Sequence, residues 1–226
     1  MLILSWLRRW GFRTLAVFLL GVTAMQLCGQ IPVLGVVGRM WHAFWGMAAP
    51  WAGQTLFRVS EPIQMKPTGS GDTLFHWVVM GTIVLIAVVT GLVWSFFDRA
   101  RQHDGKVAAV LRVLVRYALG GALLAYGFAK VFHLQMPPPD PARLITPYGA
   151  SSPMGLLWTF MGVSPAYSFF AGIAEVVPGI LLLFRRTTHL GALMAAAVML
   201  HVGMLNFFFD VPVELYLSQL LGGALF

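Results

Sequence analysis

Long apolar runs alternate along this chain with short segments that are charged, aromatic or proline-rich. At about 1.5 Å of rise per residue, a helix needs roughly 20 apolar residues to cross about 30 Å of hydrocarbon. Read against that length, the first run extends from about Arg13 to Cys28 or Ile31 and the second from Thr73 to Phe97, which Asp72 or Thr73 could cap. The third covers Val113 to Phe132, the fourth Pro165 to Phe184 and the fifth His189 to Phe209. Val213 to Phe226 is too short to cross and stops on an apolar residue, so it reads as a sixth span cut short, or as a partial or re-entrant helix. The pattern predicts an all-α fold, a polytopic transmembrane helical bundle of roughly five or six spans.

Two of the intervening segments have a character of their own. Between Gly35 and Asp72, Trp41, Phe44, Trp45 and Trp51 are interleaved with small residues, ahead of a polar stretch through Lys66, Pro67 and Gly69-Ser70-Gly71. Such aromatic density, on a stretch broken by Pro50, suits a helix lying in the membrane interface, with an aromatic ligand groove as the alternative. The other segment holds Pro137, Pro138, Pro139, Pro141 and Pro147, then Ser151 and Ser152 before Pro153, where a short helix through Met161 is predicted. Leu156, Leu157, Trp158 and Phe160 would set that helix at the membrane surface as a lid.

Composition removes the soluble alternatives. Of the 226 residues 58% are hydrophobic and 10% charged, far below the roughly 25% that covers a soluble surface. The net charge of +7 comes from basic residues in the short segments, the signature of cytoplasmic loops and not of a nucleic-acid interface. Arg8, Arg9 and Arg13, then Arg99, Arg101, Lys106, Arg112 and Arg116, then Arg185 and Arg186 fall on one side, which predicts a cytoplasmic N-terminus. The first run lacks a small-residue cleavage site, so it reads as an uncleaved signal anchor. Cys28 is the sole cysteine, which excludes a disulfide within the chain, a CxxC redox pair and a cysteine metal cage.

Ionisable groups inside hydrocarbon are costly, so those within spans are the candidates for function: Tyr126, Lys130, Glu175, His201, Asn206 and, at an outer end, Asp210. Counted at the helical rise from the outer ends, Tyr126 lies about 9 Å deep, Glu175 about 15 Å and His201 about 12 Å. Lys130 and Asn206 lie only about 3 to 5 Å deep, which predicts an inner and an outer polar layer.

Glu175 shares a helical face with Gly172 and Gly179, so a neighbouring helix can come close, and Pro178 frees the Ala174 carbonyl beside it. It reads either as interhelical glue, protonated and bonded to that carbonyl or to His201, or as a proton-handling or ligand-binding group. Lys130 either snorkels to the interface or meets an anion: Glu175, an acidic substrate or a quinone headgroup. His201 reads as a structural hydrogen-bonder, and no span carries the histidine pair that would hold haem; Asp210 in its plainest role marks a helix boundary. No metal site, phosphate loop, serine elbow or HExxH motif is evident.

Tyr126-Gly127-Phe128-Ala129-Lys130-Val131-Phe132, Gly172 to Glu175 with Gly179, Leu183-Phe184-Arg185-Arg186-Thr187 and Asn206-Phe207-Phe208-Phe209-Asp210-Val211-Pro212-Val213 together resemble the DoxX-like family of bacterial membrane proteins. The resemblance covers about 112–221, and Glu214 departs from it where a basic residue follows in the family. It implies a four-helix membrane core over 112–226, possessed of an accessory two-span region over 1–111, and a bacterial inner-membrane location. It also implies a membrane subunit or partner of a quinone- or thiol-linked redox system: if an enzyme, an oxidoreductase subunit with no tightly bound cofactor of its own, working with a quinone or a partner oxidoreductase. The alternative is a non-enzymatic membrane scaffold or a small-solute or proton pathway.

Overall fold

The computed structural model describes residues 2–30, 35–65, 71–98 and 103–226, so Ile31, Lys66, Pro67, Gly69, Ser70, Arg99, Arg101 and the side chain of Cys28 lie outside the described set. Among the described residues no strand occurs, and nine α-helices follow one another: α1 (Leu2–Gln30), α2 (Gly35–Thr55), α3 (Leu74–Phe97), α4 (Asp104–Val131), α5 (Pro141–Leu144), α6 (Pro153–Val163), α7 (Pro165–Leu183), α8 (Thr188–Phe208) and α9 (Glu214–Leu225). A 3-10 turn at Tyr148–Ala150 lies between α5 and α6. Four of these helices, α3, α4, α7 and α8, are long and apolar enough to cross a membrane. They correspond to the second to fifth of the expected spans. α1, at 29 residues, has the length of the first expected span, and α9 has only 12 residues.

The chain divides into two compact units, Met1–Ala118 and Leu119–Phe226, with the boundary inside α4. In the first, α1 lies on α3 so closely that a β-carbon at Gly91 would sit within 3 Å of the Thr14 backbone. α2 continues through Pro50 instead of ending there. A proline forfeits one backbone hydrogen bond, and the loss is tolerated because Trp45, Ala49 and Ala52 of the same helix bury against Phe75, Val78, Val79 and Ile83 of α3. Ala16 and Leu19 of α1 meet Leu111 and Val115 of α4 in a smaller cluster. Thr73 occupies the N-cap position of α3 without capping a backbone amide; its hydroxyl shares a 2.7 Å hydrogen bond with His76 Nδ1 instead.

The second unit holds the candidate residues. Its core joins four helices: Leu119, Ala122 and Leu123 of α4, Leu182 of α7, Ala195 and Met199 of α8, and Leu220 and Ala224 of α9. α6 begins where the sequence predicts, with Ser152 accepting from the Gly155 amide and Pro153 at the first helical position, and runs on to Val163. It packs through Leu157 and Met161 against Met136 and Val211, closing one end of the bundle.

Candidate functional site

Glycine and serine spacing builds the site. On α7 the buried stripe Ser168, Gly172, Glu175, Gly179 and Leu182 recurs every three or four residues and turns one narrow face to α4. On α4, Gly120 and Gly127 answer it. A β-carbon at Gly127 would come within 2.9 Å of the Gly172 carbonyl, and one at Gly172 within 2.6 Å of the Gly127 carbonyl. Gly120 and Gly179 stand in the same relation one heptad further along. Backbones this close leave no room for a side chain between the helices, which is how small residues drive association in a bilayer.

The pairs run in opposite directions along the two helices: Lys130 faces Ser168, Gly127 faces Gly172 and Gly120 faces Gly179. α4 and α7 are therefore antiparallel. Ser168, fully buried, fastens the register by donating its hydroxyl to the Lys130 carbonyl at 3.2 Å. By this register Glu175 lies opposite residue 124, about six residues or 9 Å of helix axis from Lys130. Helical side chains lean toward the N-terminus of their own helix, so in an antiparallel pair these two lean toward each other.

They meet. Lys130 Nζ donates to both carboxylate oxygens of Glu175, at 2.8 Å to Oε1 and 2.9 Å to Oε2. Both residues are buried, Lys130 at 6% and Glu175 at 2% exposure. The expected separation into two layers does not hold for this pair, because a depth count follows the backbone and the four-carbon lysine stem closes the gap. Glu175 accordingly bonds neither the Ala174 carbonyl nor His201; its partner is an ammonium group, and the snorkelling alternative for Lys130 is set aside by the same contact.

Tyr126 borders the pair. Lys130 Nζ lies 5.8 Å from the centre of its ring, within cation–π range, and the ring of Tyr216 on α9 stands 5.8 Å away on another side. Tyr126 is 40% exposed, so this edge of the site faces outward while the charges stay enclosed.

The other candidates do not join them. His201 is exposed: the inner face of α8 carries Gly191, Ala195, Met199 and Asn206, and two residues beyond Met199 is about 200° around the helix. Asn206 is buried on that inner face. Asp210 is exposed and takes a left-handed conformation, φ 54°, just past α8, where the Val211 amide reaches back to the Asn206 carbonyl at 2.9 Å; it stands at the helix boundary. No three residues among the described His, Cys, Asp and Glu gather as metal ligands.

A polar centre that the sequence presented only as loop charge lies in the first unit. Arg13 is completely buried. Its Nη1 donates to the carbonyls of Trp94 and Asp98 at 3.1 and 2.7 Å, its Nη2 to Asp98 Oδ2 and its Nε to Asp104 Oδ1, both at 3.1 Å. The guanidinium also lies 4.9 Å from the Trp94 ring centre. It ties α1 to the end of α3 and the start of α4. The legible signal was the pair of acids, Asp98 and Asp104, flanking the segment between two spans. Tyr216 lies on α9, whose helical face the short final run did not reveal.

No family model matches the chain, and no solved structure matches it. A relative is an uncharacterized protein, YwoB, of Bacillus subtilis (strain 168), 31% identical over 99 residues; the match spans 44% of this chain and 62% of that protein.

Proposed function

We propose that this chain is an integral membrane protein of the DoxX-like type, in a bacterial inner membrane with its N-terminus in the cytoplasm, and that it serves as a membrane subunit or partner of a quinone- or thiol-linked redox system. The observation that carries this reading is the enclosed Lys130–Glu175 pair with Tyr126 at its open edge. A buried ion pair contributes little net stability over an apolar replacement, and charges in hydrocarbon mark ligand or ion sites, so its presence in a helical bundle favours a task beyond packing. Lys130 and Tyr126 are donors of the kind that a quinone carbonyl accepts, and the electrons would come from a partner, since a single cysteine offers no dithiol and no span carries histidines one turn apart. The orientation draws support from Arg13, which binds α1 to the basic segment between α3 and α4.

A second reading, a scaffold or a solute or proton pathway, is favoured by one feature: Lys130 and Glu175 already occupy each other. Organic extraction and mass spectrometry of the detergent-purified protein, with an absorption spectrum for haem, separates the two. A stoichiometric quinone that is lost from folded Lys130→Ala or Glu175→Gln protein is the expected result. Folded protein that is colourless and free of quinone, and that binds none when quinone is added, overturns the redox reading in favour of the second.

A further inference from the structure

α8 is a helix long and apolar enough to span, and it leaves one full-length face uncovered. Leu193, Ala197, His201, Met204 and Phe208 recur on it every three or four residues, all exposed. Four of these suit lipid. His201 does not: it lies seven residues before the end of α8, about 11 Å inside, and an imidazole facing hydrocarbon at that depth goes without the hydrogen bonds that water supplies at the surface.

We propose that this face is the contact between two copies of the chain, with His201 meeting His201 at a twofold axis. Two copies inserted with the same topology can form a closed symmetric pair only about an axis normal to the membrane, which sets their α8 helices side by side and parallel. Each residue near the axis then meets its own counterpart at the same depth. A neutral imidazole carries one donor and one acceptor, so two of them complement each other, which a single histidine against a purely apolar helix cannot achieve. Ala197, one turn away on the same stripe, is small enough to let the helices approach.

The test uses the full chain with its sole cysteine replaced, Cys28→Ser, and single cysteines introduced in turn for Ala197, Met204 and the buried Ala195. Under mild oxidation in native membranes, Ala197→Cys and Met204→Cys form disulfide-linked homodimers and Ala195→Cys does not. In vesicles, energy transfer between labelled copies shows that His201→Leu weakens association about three- to twenty-fold, the range of hydrogen bonds between helices in bilayers, while His201→Gln, which keeps a donor and an acceptor, retains most of it. Monomers at both stripe positions, cross-links only to a different protein, or association unchanged in His201→Leu each overturn the proposal.

Discussion

Lys130 and Glu175 stand about six residues apart in the register of two antiparallel helices and still close to a two-oxygen contact at 2.8 and 2.9 Å. Removing one partner strands the other charge in a dry interior, at a cost of about 3 to 5 kcal/mol, whereas replacing both with apolar residues of similar size is close to neutral or stabilising. Lys130→Met and Glu175→Met are therefore expected to lower the melting temperature in detergent, and the double variant to regain most of the loss. If the double variant is no more stable than the worse single one, the pair is not the unit that the geometry describes.

Gly127 and Gly172 set the distance that makes this contact reachable. Gly172→Ala drives a methyl group into the Gly127 carbonyl and Val131, so the helices must separate, at about 1 to 3 kcal/mol. Gly11, where an added β-carbon meets nothing within 4 Å, is the control, and Gly11→Ala leaves stability unchanged or slightly raised. Thermal unfolding of the two variants side by side checks the contrast.

The helices that hold the site were legible because long apolar runs admit little else inside a bilayer. Where the charges were dense, the ends were not. α4 starts at Asp104, well before the expected Val113, because Lys106 and Arg112 lie on a helix that extends past its apolar part. α1 begins at Leu2 for the same reason, with Arg8 and Arg9 inside it. Glu175 declared itself through Gly172 and Gly179. His201 could not be oriented, because α8 is apolar around most of its surface and its inward face is marked by Gly191, Ala195, Met199 and a single polar residue, Asn206. Arg13 looked like one more cytoplasmic charge, since nothing local says that two distant aspartates will enclose it.

Enclosure makes Arg13 hard to replace. Its fork holds two carbonyls and two carboxylates at the end of α3 and the start of α4, so Arg13→Ala removes four donated hydrogen bonds that join them to α1. The expected loss is about 3 kcal/mol or more. Arg13→Lys recovers little of it, because one ammonium cannot reproduce the planar spread of the guanidinium or its stacking on Trp94. Protease sensitivity of the first unit, compared among wild type, Arg13→Lys and Arg13→Ala, is the measurement; a lysine variant as resistant as wild type would show that charge alone suffices.

Asp210 supports a prediction of the opposite sign. At φ 54° it takes the left-handed conformation that ends α8, with the Val211 amide returning to the Asn206 carbonyl. Aspartate tolerates this conformation and glycine adopts it without strain, while a β-branched residue meets its own backbone. Asp210→Gly should therefore leave stability equal or raise it by up to about 1 kcal/mol, and Asp210→Val should lower it by about 1 to 2 kcal/mol. The exposed carboxylate makes no contact with the Lys130–Glu175 pair, so ligand retention should follow wild type in both variants wherever the protein remains folded. Loss of a bound ligand in folded Asp210→Gly protein would give Asp210 a role beyond ending the helix, and would draw the C-terminal end of α8 into the site.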